Sequence, residues 1–254
     1  MPKKEKNILR YSQSIEQTDI VKKLVTLVTE PQDAYDILSH TEIVFSSEAF
    51  APDPSLSPSE TEESIFEFLR DLAETSTQIQ ITVITKSFAS PDFEEHEFMK
   101  AKIRAVFRAA IYGNISLFCE GAQTLSEFEC FCNVMSKAFC ELESERREFN
   151  GYITKGVLIS TPLSAICLCS CPADIFCIDL DKMLPLITGN KNQSIDFLTD
   201  STVSAVSKVL SDMFKASKKI IAVLSTSLSP CICELAEACG ASEIWIKKQK
   251  STNL

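Results

Sequence analysis

Three charged residues lie within four positions directly after a short apolar run: Asp179, Asp181 and Lys182. Glu120 closes another such run. Carboxylates grouped in this way can hold Mg²⁺ or exchange protons in acid–base catalysis. Lys182 offers a different outcome, because its ammonium would occupy the place of a metal and neutralise the carboxylates. We therefore expect an ion-pair cluster and no cofactor, with Mg²⁺ bound only if the chain is an active enzyme.

Two further groups at predicted strand ends could react. Lys86 follows an apolar run, and a lysine whose pKa is lowered by burial can act as a base or Schiff-base nucleophile. Cys119 would need a nearby base to become a thiolate. The two histidines are poorly placed for that role, since His40 precedes a predicted strand and His96 begins a predicted helix. Cys119 is therefore predicted to be unreactive.

The composition excludes several classes of protein. The chain has 254 residues, a formal charge of −10 and six glycines. It lacks GxG, GxxxxGK[ST] and GxSxG motifs, which excludes glycine-built phosphate loops and nucleophile elbows. The excess of acidic residues argues against nucleic acid as a partner, because phosphate contacts need clustered Lys and Arg.

The cysteines and the apolar stretches of the chain indicate the cellular compartment in which the protein is expected. The eleven cysteines include no CxxC pair, which favours buried thiols in a reducing cytosol over a zinc site. Residues 1–20 lack the apolar core of a secretory signal, and no apolar stretch is long enough to span a bilayer. The protein is thus predicted to be cytoplasmic, without membrane attachment.

Strand and helix patterns alternate along the chain. Apolar β-rich runs predict strands at 23–28, 42–46, 79–85, 115–119, 154–160, 174–179, 220–225 and 243–247. Helical spacing and capping boxes predict helices that include 58–76, 124–147 and 194–219. Eight parallel strands separated by helices predict an α/β protein with one (β/α)8 TIM-type barrel. The barrel is expected to span 21–248, between a flexible N-terminal arm (1–20) and a tail (249–254).

The predicted barrel has one unusual feature. Few residues follow the last strand, so the eighth helix is expected to be missing. The apolar flank left open would need a cover, which either the N-terminal arm or another subunit could supply.

Several segments, taken in order, resemble one known barrel family. They are HTEIVF (40–45), KIRAVFRAAIYG (102–113), GVLISTPLSA (156–165), ADIFCID (173–179) and CGASEIWI (239–246). The chain resembles the C-terminal phosphoenolpyruvate-binding barrel of Enzyme I of the bacterial sugar phosphotransferase system, which also occurs in pyruvate phosphate dikinase. The resemblance implies a dimerisation module that binds phosphoenolpyruvate and Mg²⁺.

The positions that bind substrate in that family are changed in this chain. The resemblance places two substrate-binding arginines at His40 and Ile84, the metal-binding glutamate at Ser160, the Asn-Asp pair at Asp181 and Lys182, and a further arginine at Thr188. Losing three arginine contacts and the metal removes roughly 5–10 kcal/mol of binding free energy. These degenerate positions predict that phosphoenolpyruvate is not bound.

Three hypotheses for function follow. The first is a pseudoenzyme, a non-catalytic regulator or scaffold that pairs with itself or with a genuine Enzyme I. The second is an enzyme with altered chemistry, of lyase or phosphotransferase type, acting on a small carboxylate or phosphate substrate through Glu120, Asp179, Asp181, and Lys86 or Lys182. The third is an interaction protein whose acidic helices bind a basic partner through Glu60, Glu62 and Glu63 or through Glu141, Glu143 and Glu145.

Overall fold

The computed structural model of the chain describes residues 21–31, 34, 42–51, 53, 55–75, 79–86, 93–189, 199–214, 220–226 and 229–247. The predicted arm (1–20), the tail (249–254) and any helix beyond residue 247 lie outside these residues. No helix in the described ranges is long and apolar enough to cross a membrane.

Eight parallel strands form a closed barrel in which each strand pairs with its neighbours in sequence and β1 pairs with β8. They are Val21–Val28 (β1), Glu42–Phe45 (β2), Gln80–Lys86 (β3), Asn114–Glu120 (β4), Lys155–Ile159 (β5), Ile175–Asp179 (β6), Ile220–Ser225 (β7) and Glu243–Lys247 (β8). The sequence prediction of a (β/α)8 barrel is confirmed, with every strand found within two residues of its expected bounds.

Seven helices surround the strands in the described part of the chain. They are Pro58–Thr75 (α1), Phe93–Ala109 (α2), Leu125–Ser144 (α3), Pro162–Leu168 (α4), Leu180–Thr188 (α5), Asp200–Phe214 (α6) and Pro230–Cys239 (α7). The helix predicted over 194–219 is observed as α6, and residue 199 lies just outside it. Residues 194–198 and 215–219 lie outside the described residues.

Capping residues set where the helices begin. At α1, the Glu60 amide donates to Ser57 Oγ, and Glu60 Oε2 accepts from the Ser57 amide, which completes the predicted capping box. At α3, Thr124 Oγ1 accepts from the Glu127 amide as expected, but the Glu127 carboxylate reaches the Gln123 amide instead of that of Thr124. The backbone amide bound by the Glu127 carboxylate is therefore one residue earlier than in an ideal capping box.

Apolar side chains fill the barrel interior. Phe118 and Trp245, both almost fully buried, lie with ring centroids 5.8 Å apart. Val25, Val44, Ile84, Leu158 and Cys177 belong to the same inner cluster. A second, larger core lies between the strands and the helices. Any chemistry must therefore take place at the ends of the strands rather than within the cylinder.

An ion-pair network joins α1, α2 and α3 on the outside of the barrel. The carboxylate of Glu62 accepts from Arg104 at 2.5 Å and from Arg108 at 2.8 Å. Arg108 also pairs with Glu63, and Arg104 with Glu141 and Glu145. Much of both acidic runs that the sequence suggested as docking sites is thus neutralised within the protein.

Candidate functional site

The carboxyl ends of the strands meet at one end of the barrel, which we call the rim. Side chains alternate between the two faces of a strand. Phe118 and Cys177 face the interior, so Glu120 and Asp179, two positions further on, also face inward at the rim. Lys86 ends β3 as the register partner of Glu120. The fold thus gathers these three residues from separated segments of the chain.

An ion pair crosses the rim. Lys182 Nζ lies 2.8 Å from Glu120 Oε1 and 3.9 Å from Asp179 Oδ2. Ser47 Oγ, which follows β2, donates to Glu120 Oε2 at 2.7 Å. The side chain of Glu120 is 19% exposed, whereas that of Lys182 is 54% exposed. The carboxylate is therefore held on both oxygens, and the cation stays accessible to solvent.

The pKa values of the pair shift in opposite directions. Burial raises the pKa of Glu120, but hydrogen bonds from Lys182 and Ser47 and the charges of Lys182 and Lys86 outweigh it and hold the pKa below its ordinary value. Burial lowers the pKa of Lys182, yet the hydrogen bond to Glu120 and the charges of Glu120, Asp179 and Glu48 hold it above the ordinary value. Both groups are therefore charged at neutral pH, and Lys182 is not a ready nucleophile.

Asp179 and Asp181 organise the start of α5. Asp179 is its N-cap and accepts from the Lys182 amide at 3.3 Å, which fixes the backbone of the first turn of α5. Asp181 accepts from the Thr226 amide at 2.9 Å and from Ser225 Oγ at 3.2 Å. Asp181 thereby fixes the end of β7 to α5.

Two lysines lie near each other beside β3. Lys86 Nζ is 3.7 Å from Glu48 Oε1 in an exposed pair. Lys102 on α2 is 7% exposed, and burial, together with the charge of Lys86, lowers its pKa to about 8. Sequence analysis missed Lys102. Its spacing from Met99 and Val106, three and four residues away, placed it on the inward stripe of the helix and could have identified it.

The other predicted positions do not join the ion pair. Ile84 is buried in the inner apolar cluster, and Ser160 follows β5 at the rim. Thr188 lies in the last turn of α5, where its hydroxyl donates to the Leu184 carbonyl at 2.9 Å. His40 falls outside the described residues. Cys119 is fully buried in the core between strands and helices, so it offers no thiol to the rim.

The donor set of the rim does not fit a bound Mg²⁺. Within the described ranges, no three His, Cys, Asp or Glu side chains are grouped as metal ligands. The Glu120 oxygens accept from Lys182 and Ser47, and those of Asp181 accept from Ser225 and Thr226. A metal cation would have to displace an ammonium and several O–H and N–H donors. These carboxylates are therefore arranged to bind protein donors rather than a metal.

Comparison with known proteins identifies the fold. No family model and no curated protein matches the chain. Malate synthase from Haloferax volcanii aligns at 10% identity and a TM-score of 0.57 in its lead(II) complex, over 91% of this chain and 71% of that chain. Its magnesium and glyoxylate complex gives 9% identity and 0.57 over 91% and 73%. The carboxyl transferase domain of Rhizobium etli pyruvate carboxylase, solved with 3-bromopyruvate, gives 12% and 0.50 over 90% and 40%.

These comparisons correct the family prediction. The sequence predicts a degenerate relative of the Enzyme I barrel, but the similar barrels found are those of other enzymes, among them malate synthase and a carboxyl transferase. The assignment to Enzyme I is wrong. The interpretation of six positions as degenerate substrate- and metal-binding positions depended on that assignment and is given up with it. They are His40, Ile84, Ser160, Asp181, Lys182 and Thr188. At 9–12% identity the likeness establishes the TIM-barrel fold.

Proposed function

We propose that this chain is an enzyme that binds a small carboxylate- or phosphate-bearing substrate at the rim and carries out lyase-type chemistry. The observation that carries the proposal is the Glu120–Lys182 pair, in which a half-exposed cation lies 2.8 Å from a largely buried carboxylate. Rims of (β/α)8 barrels are the usual location of active sites in this fold. A paired base and cation are the two groups that proton abstraction next to a carbonyl requires.

Substrate binding would change the charge state of the pair. An anionic group of the substrate forms an ion pair with Lys182. Lys86, the register partner of Glu120 on the adjacent strand, supplies a second positive charge. Glu120 then loses the partner that lowers its pKa, so it becomes a stronger base. Its free oxygen accepts a proton from the carbon next to the carbonyl, and the electron pair moves onto the carbonyl oxygen. Lys182 stabilises that negative charge, while Ser47 holds the other oxygen of Glu120.

Exchange of substrate protons with solvent tests this reaction. Small 2-oxo acids are the first probes, since the barrels of similar fold were solved with glyoxylate and 3-bromopyruvate. Pyruvate incubated with the protein in D₂O should lose its methyl proton signal in NMR spectra faster than pyruvate alone. Glu120→Gln should abolish the acceleration, and Lys182→Gln should reduce it by about tenfold or more.

A matched control separates the rim from general charge effects. Lys208 is exposed on α6, so Lys208→Gln should exchange pyruvate protons at the wild-type rate. If the wild-type protein neither accelerates exchange nor binds pyruvate, glyoxylate or inorganic phosphate in calorimetric titrations, the rim is not an active site and the proposal fails.

A second candidate is a non-catalytic protein that acts through self-association. Leu163 and Ile166 lie three residues apart on α4 and are exposed, as is Leu186 on the neighbouring helix α5. Exposed apolar side chains of this size can mark protein contacts. Light scattering during gel filtration should then show a dimer that Ile166→Lys dissociates. A monomeric wild-type protein would rule this candidate out.

A further inference from the structure

A cavity of about 540 Å³ lies away from the rim, near the amino end of β5. Its walls come from the end of α2, the middle and second half of α3, and the segment that leads into β5 together with the first residue of that strand. They are formed by Phe107, Cys132, Met135, Ser136, Phe139, Cys140, Gly151, Tyr152, Ile153 and Lys155. Its volume falls within the range of small-molecule sites, roughly 300–1,000 Å³. Because the strands are parallel, this cavity is separated from the Glu120–Lys182 pair by the length of the barrel.

The aromatic wall of the cavity is fixed by packing. Phe149 stacks on Phe107 with centroids 6.4 Å apart and meets Phe139 edge-on at 5.0 Å. The Asn150 amide donates to the Phe107 carbonyl at 2.9 Å. Any side chain at residue 151 would overlap the Phe139 ring, so glycine allows the segment to lie directly against it. The cavity is thus bounded by elements held in place on both sides.

Tyr152 extends the wall into solvent. Its side chain is 89% exposed and meets Phe139 edge-on at 6.0 Å. A tyrosine left this exposed next to an apolar cavity offers an aromatic surface to a ligand at the entrance.

One cation lies in the mostly apolar lining. Lys155 is half-buried, and no carboxylate in the described part of the chain forms an ion pair with its ammonium. Its backbone is fixed, since its amide donates to Asp174 Oδ2 at 2.8 Å. The nearby Cys132 thiol is held protonated, because burial and the charge of Glu129 raise its pKa against the opposing effect of Lys155. Lys155 is therefore the residue of the cavity lining that can bind an anionic group of a ligand.

We propose that this cavity binds an amphipathic organic anion, with an aromatic or alkyl body against Phe107, Phe139 and Tyr152 and one carboxylate, sulfonate or phosphate group on Lys155. Burial of the body supplies affinity, and the unpaired ammonium selects the charge. The site is independent of the chemistry proposed at the rim.

A pair of fluorescent probes that differ by one charge tests the site. 8-Anilinonaphthalene-1-sulfonate carries the sulfonate, and N-phenyl-1-naphthylamine has the same body without it. The sulfonate probe should bind the wild-type chain at one saturable site. Lys155→Gln should weaken that binding roughly tenfold or more and leave the affinity for the neutral probe unchanged. Lys137 is exposed on the same helix as Ser136, and Lys137→Gln should change the affinity for neither probe.

A variant whose larger side chain fills the cavity tests whether both probes bind there. Ser136 is exposed at a helical position, so Ser136→Trp should retain the circular dichroism spectrum and thermal midpoint while abolishing binding of both probes. Unchanged binding in Ser136→Trp, or equal losses in Lys155→Gln and Lys137→Gln, would overturn the proposal.

Cysteine protection gives a measurement that requires no substitution. Cys140 is an exposed residue of the cavity lining, whereas Cys169 lies on another helix end. Saturating sulfonate probe should slow iodoacetamide modification of Cys140 and leave the rate at Cys169 unchanged, as followed by peptide mass spectrometry. Equal rates at Cys140 with and without probe would show that the probe binds elsewhere and would end the proposal.

Discussion

Gly156 and Phe118 face one another on adjacent strands inside the barrel, and the Phe118 ring occupies the space that a Cβ at residue 156 would need. The ring in turn packs against Trp245. Glycine at this position is therefore a requirement of packing rather than of backbone conformation, since its φ is not positive. The apolar filling of the cylinder depends on this contact.

Gly156→Ala should lower the free energy of unfolding by about 1–3 kcal/mol, because the added methyl group overpacks a closed interior. Urea unfolding followed by Trp245 fluorescence measures the change. Combining Gly156→Ala with Phe118→Leu should cost less than the sum of the two single changes, since the smaller side chain makes room for the methyl group. Strict additivity would contradict the assigned overlap.

The barrel itself was predictable because its signal is local. Most of the strands are nearly continuous apolar runs rich in β-branched and aromatic residues, as in IFCID of β6, and such runs need only their own sequence to be identified. Ser57 and Glu60 likewise predicted the start of α1. Gly113 could not be explained from the sequence. It follows α2, where glycine often ends a helix in the left-handed conformation, but its φ is not positive, and glycine is required because a Cβ at this position would lie 2.9 Å from that of Ala73.

The site could be predicted only in part because its pairings depend on three-dimensional register. The sequence placed Glu120, Asp179 and Lys182 at strand ends, but it did not specify that Lys182 takes Glu120, 62 residues away, as its nearest partner. Asp181, adjacent in sequence to Lys182, is directed to Thr226 instead. Helix geometry turns consecutive side chains about 100° apart, so adjacency in the chain does not imply contact.

The ion-pair network between α1, α2 and α3 allows the contribution of a buried carboxylate to stability to be compared with that of an exposed one. Glu62 is 10% exposed and accepts from two arginines, whereas Glu63 is 49% exposed and pairs with one. Glu62→Gln should destabilise the fold by about 3 kcal/mol, because two buried guanidinium groups lose the buried carboxylate that they share. Arg108 then keeps only Glu63, and Arg104 only Glu141 and Glu145, which are all more exposed to solvent. Glu63→Gln should cost about 1 kcal/mol or less. Urea unfolding of both variants provides the comparison, and equal losses would contradict the difference in burial.

The lowered pKa of Glu120 predicts how its contribution to stability depends on pH. A carboxyl group whose pKa is lower in the folded state stabilises the fold above its unfolded value, about 4.3, and this contribution is lost as the pH falls through the folded value. The wild-type chain should therefore exceed Glu120→Gln in stability by a constant margin above about pH 5, and the margin should shrink below about pH 4.

Urea unfolding between pH 3 and 7 measures that margin. Glu143 is exposed on α3, so Glu143→Gln controls for the removal of one acidic charge from the chain. Carbonyl NMR provides a direct measurement, in which Lys182→Gln should raise the pKa of Glu120. An unchanged Glu120 titration in that variant would show that Lys182 does not hold the carboxylate in its charged form.

Lys102 should destabilise the protein whenever it is charged. Burial lowers its pKa to about 8 in the folded state, whereas an unfolded lysine titrates near 10.4. Below pH 8 the ammonium is charged in both states, so the whole cost of burying it is present. As the pH rises from 8 to about 10.4 the folded chain gives up its proton first, and the stability increases by an amount on the order of 3 kcal/mol. Lys102→Met removes the buried charge while nearly keeping the side-chain volume.

This variant should therefore be more stable than the wild type at pH 7, and the advantage should narrow steadily towards pH 10, because the wild type alone gains from deprotonating residue 102. Urea unfolding at successive pH values follows the difference, in which the titrations shared by the two chains cancel. Lys137→Met removes an exposed lysine and should show neither the advantage nor its pH dependence, since this substitution relieves no cost of burying a charge. If Lys102→Met exceeds the wild type in free energy of unfolding by the same amount at pH 10 as at pH 7, Lys102 keeps its proton in the folded state. Its ammonium would then be in contact with solvent or with an anion.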